Sequence, residues 1–197
     1  MLLEHEGRAP HVDPGAWIAP TAVLCGDVRV AAGARVLWNA VLVDDGAPVE
    51  LGEQAIVMEH ALLRGRAEHP VRIGANVIVG PHAHVNGVVV GEGAFIATGA
   101  ALFPGARIGA GAEVRVSGVV HVNSVLAEGA VVPIGWVAVG DPAQILPPDR
   151  HDDIWAIQHE LDFPGTVLGV ARGAPAAQAS GRYADLFGRH RDDTVVG

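Results

Sequence analysis

The chain has 197 residues, 50% of them apolar and 18% charged, which allows one domain with a real core. Acidic residues number 22 against 13 basic ones, a formal charge of −9, which argues against a surface that tracks nucleic-acid phosphates. There is no lysine, so Schiff-base and P-loop lysine chemistry are excluded, and the single cysteine, Cys25, rules out an internal disulfide, a zinc cluster built on thiolates and a CxxC pair.

The opening residues MLLEHEGRAP put Glu4, His5 and Glu6 where a signal peptide needs apolar side chains. No stretch approaches the roughly 18 apolar residues of a membrane span, so a cytoplasmic protein without membrane partners is expected. From Ile18 an aliphatic residue recurs every six positions, at Leu24, Val30, Val36 and Leu42, with Ala22, Val28, Ala34 and Ala40 each four residues after an aliphatic of the series. The register slips to Leu51, runs through Val57 and Leu63, slips to Ile73, continues to Val79 and Val85, and shortens to Val90. From there Ile96, Leu102, Ile108, Val114, Val120, Leu126 and Val132 keep strict steps of six.

A period of six is neither helical nor that of a single strand; it fits short strands joined by tight corners, three to a triangular coil of about 18 residues. The aliphatic residue points inward, the small residue lets the corner close, and stacked coils pair at about 4.8 Å. The expectation is an all-β parallel β-helix over 10–148, with extra residues extruded as loops at 44–50 and 65–72. Pro147 and Pro148 stop the repeat, Asp149 offers a cap, and Ile154, Ile157 and Leu161 make one apolar stripe. A C-terminal α-helix over 149–163, packed along the solenoid, follows. The tail 164–197 is Gly- and Ala-rich, with one short helical candidate around Tyr183, Leu186 and Phe187.

Residues 10–163, with this register, its slips and the closing VGDPAQ ahead of a helix, resemble the γ-class carbonic anhydrases. The resemblance implies the left hand of the β-helix, a homotrimer, and a zinc held between subunits by three histidines. It also shows where this chain departs. The family's Arg-Gly-Asp reads Val43-Asp44-Asp45, and its glutamine and aspartate that support the zinc-bound water read Met58 and Glu59. The three zinc histidines fall at Arg64, Pro81 and Asn86. A catalytic zinc needs three protein ligands and an open position for water. A permanent cation, a residue without a donor atom and an amide do not supply them, so zinc-dependent CO2 hydration is expected to be absent.

Two other groups remain. By phase, His60 and His82 stack one strand apart and His84 points to the same side as His82, a relocated zinc or other divalent-metal site with Glu59 or the loop residue His69 behind it. The competing reading makes them corner residues, with no cofactor. His121 shares a face with Arg64 and Asn86, while His5, His11, His151, His159 and His190 are read as surface residues. Asp45, Glu59, Arg64 and Asn86 form the second group, suited to a small anion through a bidentate arginine, or to sealing a subunit interface by ion pairing. Outward-leaning Leu37, Trp38 and Met58 support a closed trimer. Three functions follow: a small-molecule or anion site at the subunit interface, a non-catalytic trimeric scaffold or binding protein, and a hexapeptide-type acyltransferase with His69 as base.

Overall fold

The computed structural model describes all 197 residues. Three parallel sheets form the sides of a left-handed β-helix. The first side runs through Leu2–Glu4, Val23–Cys25, Val41–Asp45, Leu62–Arg66, His84–Asn86, Ala101–Leu102, Val119–Val120 and Val137–Val139. The second runs from His11–Val12 to Val125–Leu126 and the third from Trp17–Ile18 to Val131–Val132, seven strands each. The repeat already includes Leu2–Glu4, ahead of the expected start at residue 10, because Leu2 and Leu3 pair with Leu24 and Cys25.

Every aliphatic residue of the six-residue series from Leu24 to Val132 is buried, with Ala22, Ala34, Ala40, Ala55 and Ala61 filling the narrow corners. No phenyl or indole ring is among the buried members of this core, since the triangular interior suits branched aliphatics and methyl groups, and Trp136 packs against the cluster only part-buried, near the last coil. Stacking leaves equally little room at corners. A Cβ on Gly74 would stand 2.6 Å from the backbone nitrogen of Glu92 in the next coil. Gly74→Ala is therefore expected to cost about 1–3 kcal/mol, read as a lower urea midpoint at unchanged slope.

The two register slips are accommodated more tightly than extruded loops. Val41–Asp45 and Leu62–Arg66 lengthen to five residues and pair along their whole length, leaving only short turns at 46–48 and 67–70. The first C-terminal helix, α1, covers His151–Gln158 and continues as a 3-10 turn over His159–Leu161. It starts two residues later than expected. Arg150 occupies the N-cap position without a side-chain cap, so Asp149 does not perform that role.

The tail is ordered into a strap. A turn of π-helix over Pro164–Leu168 leads to α2, Ala176–Gly188, then a 3-10 turn at Arg189–Asp192 and a strand, Thr194–Val195. That strand pairs antiparallel with Leu2–Glu4, with Leu3 opposite Val195. The C-terminus thus returns along the first side and closes the N-terminal edge of its sheet, where unpaired backbone groups would otherwise be exposed.

Candidate functional site

The strap covers one column of outward-pointing residues. Cys25, Val43, Arg64 and Asn86 are register partners across successive coils of the first side, each following an inward aliphatic. Phe103 and His121 extend the column by the same phase. Phe163 packs against Phe103 and His121, with ring centroids 5.6 and 5.5 Å away. Phe187 lies under the Arg64 guanidinium at 4.9 Å, and Tyr183 under that of Arg66 at 5.4 Å. Further along, His190 and Asp193 reach Asp45 and Cys25.

Asp45 is the pivot. It is 3% exposed, lies 3.0 Å from Arg64 Nε through Oδ2, and accepts from His190 Nε2 at 2.7 Å through Oδ1. Its neighbour Asp44 is equally buried and faces Arg8 at 3.1 Å. Two adjacent carboxylates removed from water are tolerable because each has its own cation. Burial by itself lowers the His190 pKa, but hydrogen bonds and charge from Asp45 and Asp193 outweigh it, and the net shift is upward. Asp193 shifts down: burial opposes this, and the donors His190, His5 and Cys25 overcome it. The Cys25 thiol is pushed up to about 12 by burial, by its hydrogen bond to Asp193 and by the surrounding carboxylates. As a thiol among anions, Cys25 is a poor nucleophile.

Arg64 and Asn86 are neighbours, as their shared column requires. Arg64 is not free to receive an anion: Asp45 and Phe187 occupy it within the same chain. Asn86 is buried and its Oδ1 has no partner. Glu59 stands at the corner between Ile56–Val57 and Leu62–Arg66 and shares no ion pair with the other three. The four residues do not form one constellation.

His60 and His82 stack face to face, with centroids 4.9 Å apart and planes at 1°. Both have left-handed backbone angles, φ 60° and 57°, in the same corner column as Asn39 and Ser117, which accounts for small or polar residues there. His84 lies half-buried on the first side, its nearest ring Phe103 at 6.1 Å, with its pKa lowered by burial and by Arg64. These three do not bring their nitrogens together with a further ligand. The group of His, Cys and Asp atoms that does converge is His5, Cys25, His190 and Asp193. His5, 2% exposed, and His190 are thus not the surface residues expected, because their burial comes from the returning strap.

Between the 67–70 turn and the strap lies a cavity of about 490 Å³, lined by Arg66, His69, Asp162, Thr166, Arg182 and Tyr183 among others. Arg66 donates to the Val167 carbonyl at 2.8 Å, and Tyr183 to the same oxygen at 3.1 Å, so strap and loop share one wall.

No family model matches the chain. Among curated proteins, γ-carbonic anhydrase 3 of Arabidopsis thaliana mitochondria is 32% identical over 94 residues, 45% of this chain and 36% of that one. A carbonic anhydrase of Geobacillus kaustophilus is 26% identical over 94 residues, 48% and 52% of the two chains. Over these stretches the chain is similar to γ-carbonic anhydrases. The match spans only about a third of the length of the plant relatives. Among solved structures, a hexapeptide transferase family protein from Anaplasma phagocytophilum overlaps 82% of this chain and 92% of its own at 24% identity, with a TM-score of 0.48.

The resemblance to γ-carbonic anhydrases implies zinc histidines at three positions, and their chemistry can be compared with what the metal needs. Arg64 carries a permanent cation committed to Asp45, Pro81 has no side-chain donor, and Asn86 offers one buried amide. These residues do not fit the metal. No helix is long and apolar enough to cross a membrane.

Proposed function

We propose that this chain is a trimeric, cytoplasmic, γ-carbonic-anhydrase-like protein whose family zinc site is degenerate, and that it binds a small anionic molecule and is not a CO2 hydratase. The observation that carries the reading is the Asp45–Arg64 pair under Phe187: the side chain standing where a zinc histidine is expected is neutralised and covered. Anion binding then falls to the adjacent cavity, where Arg66 and Arg182 flank an opening beside His69 and Tyr183. Arg182 lines this cavity and takes part in no ion pair, which leaves its planar fork available for a carboxylate or bicarbonate.

Trimerisation is supported by the outer surface of the third side, where the column runs Trp17, Arg35, Ile56, Ile78, Phe95, Glu113 and Val131 across the coils, apolar but for Arg35 and Glu113. Trp17, Phe95 and Val131 are exposed there, a stripe that a second copy would cover. Light scattering is expected to give about three times the 20.3 kDa of one chain.

The position of His69 in the cavity favours a second reading, acyl transfer with that imidazole as base. Calorimetric titration separates the two. Bicarbonate or a small carboxylate binding at one site per chain, weakened about tenfold or more by Arg182→Gln, supports the anion reading. Tight binding of acetyl-CoA with no response to small carboxylates supports the second.

A further inference from the structure

We propose that His5, Cys25, His190 and Asp193 form a zinc-type metal site that fastens the end of the strap to the first coil. One ligand atom from each lies within 4.8 Å of all the others. Cys25 points outward from Val23–Cys25, and His5 follows the neighbouring strand Leu2–Glu4. His190 and Asp193, three residues apart, arrive from the opposite terminus. The ends of the chain thus each contribute two ligands.

The contacts within the group are those of a cage held together by protons. The Asp193 carboxylate receives His5 Nδ1 at 2.6 Å, His190 Nδ1 at 2.8 Å and Cys25 Sγ at 3.1 Å. Cys25 Sγ and His190 Nδ1 stand 3.8 Å apart, close to the roughly 3.5 Å edge that zinc–nitrogen and zinc–sulfur bond lengths set in a tetrahedron. The His5 and His190 rings are stacked at 4.1 Å, so both Nδ1 atoms reach the same point. A metal entering here displaces the Cys25 thiol proton and one proton of the doubly donating His190, which pass to solvent, while His5 binds as a neutral imidazole with its proton on Nε2.

Two further observations favour a cation. His190 Nε2 is bonded to the Asp45 carboxylate, the outer partner that fixes a ligating imidazole with its other nitrogen turned to the metal. Charge also balances: a dication with one thiolate and one carboxylate is neutral, which suits a place where His5 and Cys25 are 2% and 3% exposed. Cysteine with histidine selects zinc over magnesium or calcium. Four protein donors complete the coordination and leave no position for water, so the site is structural and adds no hydratase chemistry. It is also distinct from the stacked His60 and His82 in the opposite corner of the coil.

The test uses untagged full-length protein and cobalt as a spectroscopic substitute for zinc. One equivalent of Co²⁺ per chain is expected to produce a thiolate-to-cobalt charge-transfer band in the near ultraviolet, and one equivalent of Zn²⁺ to abolish it. Cys25→Ser removes the band, whereas a His60→Ala/His82→Ala double variant keeps it at the same stoichiometry. Because the first reading is made on unaltered protein, the outcome does not hinge on a variant folding. No cobalt binding, cobalt bound without the band, or a band lost in the His60→Ala/His82→Ala variant overturns the proposal.

Discussion

Asp45→Asn is expected to lower stability by about 3 kcal/mol, although the replacement keeps the size and shape of the side chain. The change removes the one negative charge that faces both the Arg64 guanidinium at 3.0 Å and the His190 imidazole at 2.7 Å. An amide can accept one of these contacts, but it leaves the arginine without a counter-charge on a mostly covered side, and it weakens the hold on the strap. A surface pair sets the scale. Glu113 and Arg115 also meet, at 3.3 Å, but both are exposed, so Glu113→Gln is expected to change stability by no more than about 0.5 kcal/mol. Urea denaturation of the two variants beside the parent protein checks the contrast. Equal and small effects would mean that the strap is not anchored through Asp45.

The second large effect concerns acid. His121 is 6% exposed, has no hydrogen-bond partner on either ring nitrogen and lies between Phe103 and Phe163, and burial lowers its pKa to about 4. In the unfolded chain the same group titrates near 6.5. Above that pH it is neutral in both states and contributes no pH dependence. As pH falls from about 6.5 to about 4 the unfolded state takes up a proton that the native state refuses, so stability drops progressively, by about 3 kcal/mol in all. His121→Phe removes the titration while retaining an aromatic ring in the slot. Its stability curve is expected to converge on, or rise above, that of the parent at acid pH relative to their difference at pH 7.5. Parallel curves over the whole range would show that His121 is protonated in the native protein.

Both effects originate in the strap, and the strap is where the sequence is least legible. The solenoid repeats locally: each aliphatic residue reports on its own coil, and Leu24 to Val132 read as one inward series because every coil has the same narrow interior. The stacking of His60 on His82 is equally a matter of phase, since one strand spacing separates equivalent positions in adjacent coils. Residues 164–197 carry no such period. Their order comes from pairings across 145 to 188 positions, His190 with Asp45, Asp193 with Cys25 and His5, and these leave no mark on local composition. A histidine near either terminus therefore reads as a surface residue until the two ends are seen to meet. Arg64 could be read as an anion site or as half of an ion pair; Phe187 and Asp45 close the first option only because the strap folds back over the column. The cavity beside His69 has the same origin, with one wall from the 67–70 turn and the other from α2.

Arg64, Pro81 and Asn86 stand where the resemblance to γ-carbonic anhydrases implies zinc histidines, and the proposed function therefore excludes zinc-dependent CO2 hydration. Stopped-flow measurement of CO2 hydration, on untagged protein supplemented with zinc at neutral pH, addresses it most directly. The expected result is a rate indistinguishable from buffer containing the same zinc, even when each chain carries a full equivalent of metal. Hydration many-fold faster than buffer, abolished by a chelator, would show that an open zinc centre exists and would contradict the account.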